Sequence, residues 1–163
     1  MLVTRPSITD ASVEELRSEL ELEPRYRLDQ IQHAVYNTDA TSFDDILTLP
    51  VATREALAKK FSYEAVSPLR IETSVDGTKK VLFRTGDGSA IETVQMPTER
   101  DNATTICLSS QAGCGMGCTF CATGDIGLTR NLTSGEIIDQ FLYFRRRSGD
   151  DQVPDRAVFM GMG

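Results

Sequence analysis

A strand, a loop, a capped helix and a second strand follow one another over residues 103 to 163, and this order constrains the fold more than any other feature of the chain. "TTICLSS" is a short strand candidate, Thr133 with Glu136 three positions on makes a capping box ahead of "SGEIIDQFLYFRRR", and "RAVFMGMG" reads as a buried strand ending in glycines. Ile137, Phe141 and Phe144 give the helix an apolar stripe, and its arginines suit the C-terminal end of the helix dipole. Two strands joined through a helix lie parallel, because a tight turn cannot connect parallel strands. One such unit buries little and leaves strand edges open. The unit therefore calls for a parallel sheet that would be expected to continue, and the chain looks cut short.

The residues ahead of this unit follow different patterns. Residues 12 to 61 read as helical: "SVEELRSELEL" is amphipathic, Leu28, Ile31 and Val35 recur at helical spacing after Pro24, and "SFDDILTLP" and "VATREALAKKF" look like two short helices divided near Pro50. Alternation then takes over in "LRIETSVDG", "TKKVLFRTGDG" and "AIETVQMP", with Asp76-Gly77 and Asp87-Gly88 as turn signals, and a polar loop "TERDNA" follows. The expected organisation is a helical accessory domain over 1–65, a β-meander over 66–100 and the first strand-helix-strand unit over 101–163.

All four cysteines fall in "CLSSQAGCGMGCTFC", residues 107 to 121. No apolar run suits a membrane span, and "MLVTRPSITDASVEEL" lacks the apolar stretch of a secretory signal, so the expected location is the cytoplasm. Thiols stay reduced there, which leaves metal binding or catalysis as the better account of them. Cys114, Cys118 and Cys121 form C-x3-C-x2-C, and glycines at 113, 115 and 117 let the backbone bend around a bulky guest. Structural zinc takes four ligands and would have to recruit Cys107, seven residues back in a strand, or His33, the only histidine. A [4Fe-4S] cubane held by three thiolates needs no fourth residue and keeps one iron open. An open iron in the loop after a barrel-type strand, with Phe120 just before the last cysteine, points to a radical S-adenosylmethionine (SAM) enzyme. The alternatives are another kind of radical SAM enzyme or a zinc-binding module without catalysis.

"TTICLSSQAGCGMGCTFCATGDIGLTRNL" followed by "SGEIIDQ" closely resembles the RlmN/Cfr family of radical SAM RNA methyltransferases, and the order of parts, from the helical module through "ETVQMP" to "FMGMG", matches as well. The resemblance implies a partial (β/α)6 barrel that this chain only begins, with a [4Fe-4S] cluster and SAM as cofactors. It implies methylation of C2 of an adenine in 23S rRNA, and in the RlmN branch of tRNA too, whereas the Cfr branch targets C8. A flavodoxin or ferredoxin would supply electrons, and no membrane is involved. Residue by residue, Cys114, Cys118 and Cys121 match the cluster ligands, Cys107 the cysteine that resolves the protein-RNA adduct by forming a disulfide, and Glu92 the proton acceptor. Gly161 and Gly163 match the glycine-rich strand end that meets the amino group of SAM, with Phe120 in the cofactor motif.

Two features depart from that picture. The family's methyl-carrying cysteine lies in a C-terminal part with no counterpart here, so this chain is not expected to complete the reaction alone. The 17 basic residues against 24 acidic ones give a net charge of −7, a poor match for wrapping nucleic acid. Local basic patches are nevertheless present as Lys79, Lys80 and Arg84, and as Arg145, Arg146 and Arg147; the plainest reading of each is a solvated surface.

Overall fold

The computed structural model describes residues 5–20, 25–98, 103–148 and 153–163; Pro24 and most of the expected loop "TERDNA" lie outside them. Three helices come first: α1 (Val13–Leu20), α2 (Tyr26–Asn37) and α3 (Val51–Lys60). They enclose a core of Leu16, Leu28, Ile31, Val35, Phe43, Ile46, Leu49 and Leu57, closed by Phe61 and Tyr63. The segment "SFDDILTLP", expected as a helix, forms only a 3-10 turn over Phe43–Asp45. The Asp45 carboxylate accepts from the backbone N–H groups of Thr41 and Ser42 and from both hydroxyls, a local pattern that competes with helix propagation.

The meander follows as β1 (Val66–Thr73), β2 (Lys79–Thr85) and β3 (Ala90–Thr98), all antiparallel. Gly77 at φ +84° and Gly88 at φ +91° make its two turns, a backbone region that favours glycine. Strand β4 (Ala103–Cys107) pairs antiparallel with β3, and β7 (Arg156–Val158) pairs parallel with β4, giving one five-stranded sheet in the order β1-β2-β3-β4-β7. The parallel strand pair joined through a helix is thus present, within a mixed α/β fold. Strand β7 is shorter and more open than expected: Phe159 and Met160 just beyond it are 64% and 77% exposed, because the strand lies at the sheet edge with a single neighbour among the described residues.

Helix α5 (Ser134–Arg147) covers one face of this sheet. Tyr143 and Phe144 pack with Val81, Phe83, Ile91 and Ile106, and Phe83 meets Tyr143 edge to face with centroids 4.8 Å apart. The Thr133–Glu136 capping box is formed, and the Asp10 carboxylate adds bonds to Thr133 Oγ1 (2.9 Å) and Gly135 N (2.7 Å). At the other end Arg147 is exposed as expected, whereas Arg145 and Arg146 turn inward instead of into solvent. The Arg146 side chain is 1% exposed, donates to Val35 O (2.9 Å) and lies over the Tyr63 ring. Arg145 donates to Tyr36 O and Arg147 pairs with Glu64 at 2.9 Å. Arg145 and Arg146 sit on the carbonyl end of α2, where the helix dipole favours them, and so fasten α5 to the helical unit.

Candidate active site

The cysteine loop is closed at its base by a two-stranded ribbon that the sequence patterns did not suggest. Strand β5 (Gln111–Gly113) pairs antiparallel with β6 (Leu128–Asn131), and a five-residue helix, α4 (Ala122–Ile126), occupies the far side of the loop. Gly113 makes the ribbon possible: its φ is +74°, and a Cβ there would lie 1.9 Å from Gly127 O. Cys114 N then donates to that carbonyl at 3.1 Å. Gly124 has a comparable role, since a Cβ would come within 2.7 Å of Cys118 O, so α4 rests directly on the cysteine-bearing backbone.

All four cysteines are free thiols, with Cys107, Cys114 and Cys118 partly exposed and Cys121 exposed. The backbone N–H groups of Gly124 and then Thr123, with the Thr123 hydroxyl, hold the Cys121 thiol below its ordinary range and favour the thiolate. Met116 N lies 3.4 Å from Cys114 Sγ, a third N–H aimed at sulfur. Among the described residues no three His, Cys, Asp or Glu side chains are gathered closely enough to hold a metal ion. The donors nevertheless fit a soft iron-sulfur group in kind: three reduced sulfurs on one glycine-rich loop, with N–H groups that stabilise negative charge on them. The loop has to draw together for all three to bind one cluster. Phe120 is 91% exposed beside it.

Cys107 ends β4 opposite Val94 of β3, and Glu92 lies two residues from Val94 along the same strand. Side chains alternate along a strand, so Cys107, Val94 and Glu92 share the sheet face turned away from α5. Lys80 and Arg84 of β2 share it too, and Lys80 Nζ is 3.2 Å from Glu92 Oε1. Lys79 pairs with Gln95 on the other face, so the basic trio read from the sequence is split between the two sides. Gly161 and Gly163 follow β7 against the end of β4: Gly161 N donates to Leu108 O (3.1 Å), and Ser110 N and Gln111 N both donate to Met162 O. A Cβ at Gly161 would be 2.7 Å from Leu108 O, and one at Gly163 would be 2.3 Å from Ser110 Oγ.

Sequence patterns did not single out Arg130. It binds Glu136 in two 2.7 Å bonds and Asp87 at 2.6 and 3.1 Å, joining the ribbon to the α5 N-terminus and the β2–β3 turn. The guanidinium holds the Asp87 carboxyl well below the usual range, and the two carboxylates raise Arg130 further. The only advance signal was the place of Arg130 in "RNL".

The chain is 40% identical to the dual-specificity RNA methyltransferase RlmN of Campylobacter concisus (strain 13826) over 96% of its own length and 44% of the relative's. It is 46% identical to the RlmN protein of Geotalea uraniireducens (strain Rf4) over 85% of this chain and 39% of that one. Among solved structures, a radical SAM methyltransferase from Sphaerobacter thermophilus superimposes with a TM-score of 0.87 at 41% identity, covering 97% of this chain and 47% of that one. No family model matches. The chain thus spans less than half the length of the curated relatives it matches, while its resemblance to radical SAM RNA methyltransferases extends over nearly all its own residues.

Proposed function

We propose, with the likeness to RlmN proteins as the premise, that this chain is part of a radical SAM methyltransferase acting on C2 of adenine in 23S rRNA and in tRNA. The observation that carries the reading is the C-x3-C-x2-C set of free thiols, on a ribbon-closed loop that follows a strand paired in parallel. Cys114, Cys118 and Cys121 would hold the [4Fe-4S] cluster. When bound, that cluster supplies an open iron for SAM and the electron that cleaves it.

The remaining roles belong to this chain's own groups. Gly161 and Gly163 would present backbone to the amino group of SAM, and Phe120 would flank it. Glu92 would take a proton, and Cys107, on the same sheet face, would offer a thiol to the protein-RNA adduct. Lys80 and Arg84 on that face suit phosphate contacts, despite the chain's net charge of −7. No helix among the described residues is long and apolar enough to cross a membrane. We place the protein in the cytoplasm, served by a flavodoxin or ferredoxin.

Anaerobic reconstitution with iron and sulfide tests the cluster. The expected product is brown, with four irons per chain and an absorbance band lost in Cys118→Ala; a colourless protein holding one zinc would overturn the reading. Detection of 2-methyladenosine in RNA treated with a protein carrying this chain at the relatives' full length tests the substrate, and methylation at C8 would correct it.

A further inference from the structure

We infer that Ser109 and Gln140 are positioning residues for the tail that bears Gly161 and Gly163, coupling it to the root of the cysteine loop without themselves touching a cofactor. The inference rests on the role proposed above for those glycines. Both side chains belong to residues fully shielded from solvent. The Gln140 amide makes four hydrogen bonds: Oε1 accepts from Ser109 N (2.9 Å) and Thr93 Oγ1 (2.8 Å), while Nε2 donates to Ser109 O (2.9 Å) and Glu136 O (3.1 Å). Ser109 follows the end of β4, and Gln140 engages its N–H and C=O much as a neighbouring strand would. A primary amide carries both the acceptor and the donor that this requires.

The Ser109 hydroxyl carries this order outward. It donates to Glu92 O at 2.6 Å and accepts from Met162 N at 3.0 Å, so a single oxygen bridges β3 and the tail. A Cβ at Gly161 would lie 2.7 Å from the same oxygen, which makes Ser109 the surface on which the tail rests. A network built only for core stability could end among apolar groups. This one ends on backbone between the two glycines, and buried polar chains of this kind are costly to leave half satisfied.

The test compares two variants of a protein carrying this chain at the relatives' full length, each deleting one buried hydroxyl of the network. Ser109→Ala cuts the link to Met162, whereas Thr93→Val removes a bond to Gln140 and leaves the tail contacts in place. After anaerobic reconstitution, iron content, SAM affinity by equilibrium dialysis and amide exchange at Met162 are measured. Ser109→Ala is expected to keep its iron, bind SAM roughly tenfold more weakly, in line with one lost hydrogen bond, and exchange Met162 N–H faster. Thr93→Val, which leaves the Gln140–Ser109 and Ser109–Met162 bonds in place, is expected to lose stability yet weaken SAM binding clearly less than Ser109→Ala does. Unchanged SAM affinity in Ser109→Ala, or an equal loss in Thr93→Val, would overturn the inference. If the unsubstituted protein binds neither iron nor SAM, the proposed function fails, and faster Met162 exchange in Ser109→Ala alone then decides whether the coupling exists.

Discussion

Arg130 and Glu136 face each other in two parallel hydrogen bonds of 2.7 Å, the fork-to-fork geometry that only a guanidinium offers a carboxylate. The Glu136 side chain is 9% exposed, so removing its partner strands a largely buried charge. Arg130→Ala is expected to cost about 2 kcal/mol in urea unfolding, and Arg130→Lys about half of that, because an ammonium keeps the charge but cannot hold both carboxylates.

Asp139 gives the fold an unusual pH dependence. Its side chain is 1% exposed, and burial pushes its carboxyl up to about 7, against the opposing pull of the Ala65 N–H and of Arg146. Arg146 Nη1 is 3.8 Å from Asp139 Oδ1, too far for a hydrogen bond. The folded state therefore holds a proton that the unfolded chain releases near pH 4. Stability from this group is full below that pH and falls as pH rises toward 7. Asp139→Asn is expected to remove that part of the slope, seen as a difference between the two stability curves that changes between pH 4 and 7 and is flat above. A constant difference across the range would contradict this.

Cys121 is exposed and held below the usual thiol range, so it should react first when the reduced, metal-free chain meets iodoacetamide at neutral pH. Timed labelling read by mass spectrometry is expected to rank it ahead of the other three thiols. After loading with iron and sulfide, Cys114, Cys118 and Cys121 should be protected together and Cys107 should remain reactive.

Two glycines of the loop separate backbone strain from collision. Gly117 has φ +61° with no atom within 4 Å of an added Cβ, whereas Gly113 at φ +74° would place that Cβ 1.9 Å from Gly127 O. Gly117→Ala should cost about 1 kcal/mol, the ordinary penalty for a left-handed residue. Gly113→Ala is expected to exceed about 2 kcal/mol and to open the β5–β6 ribbon, observed as rapid exchange of the Cys114 amide.

The parts legible in the sequence were those with local causes. Asp76-Gly77 and Asp87-Gly88 announce turns because the positive φ is needed at the glycine itself, and Thr133 with Glu136 announces a helix because both partners lie within one turn. The cysteine spacing was equally plain, whereas the ribbon framing it depends on Gly113 meeting a carbonyl fourteen residues away. Arg145, Arg146 and Arg147 looked like a solvated helix end, but their partners Tyr36, Val35 and Glu64 come from distant segments. Polar Gln140 and Asp139 gave no sign of burial, since a helix pattern records which positions are apolar and not which polar ones find partners inside. "SFDDILTLP" looked like a short helix ahead of Pro50, and the side chain of Asp45 took the backbone donors instead.

Helix α5 receives Asp10 and Arg130 at its first turn, Ser109 at mid-length and the carbonyls of α2 at its last. Its fourteen residues make a rod of about 21 Å. The first turn of that rod is tied through Arg130 to the ribbon that closes the thiol-bearing loop, and its last turn to the carbonyl end of α2, so a single helix spans from the helical unit to the root of the loop.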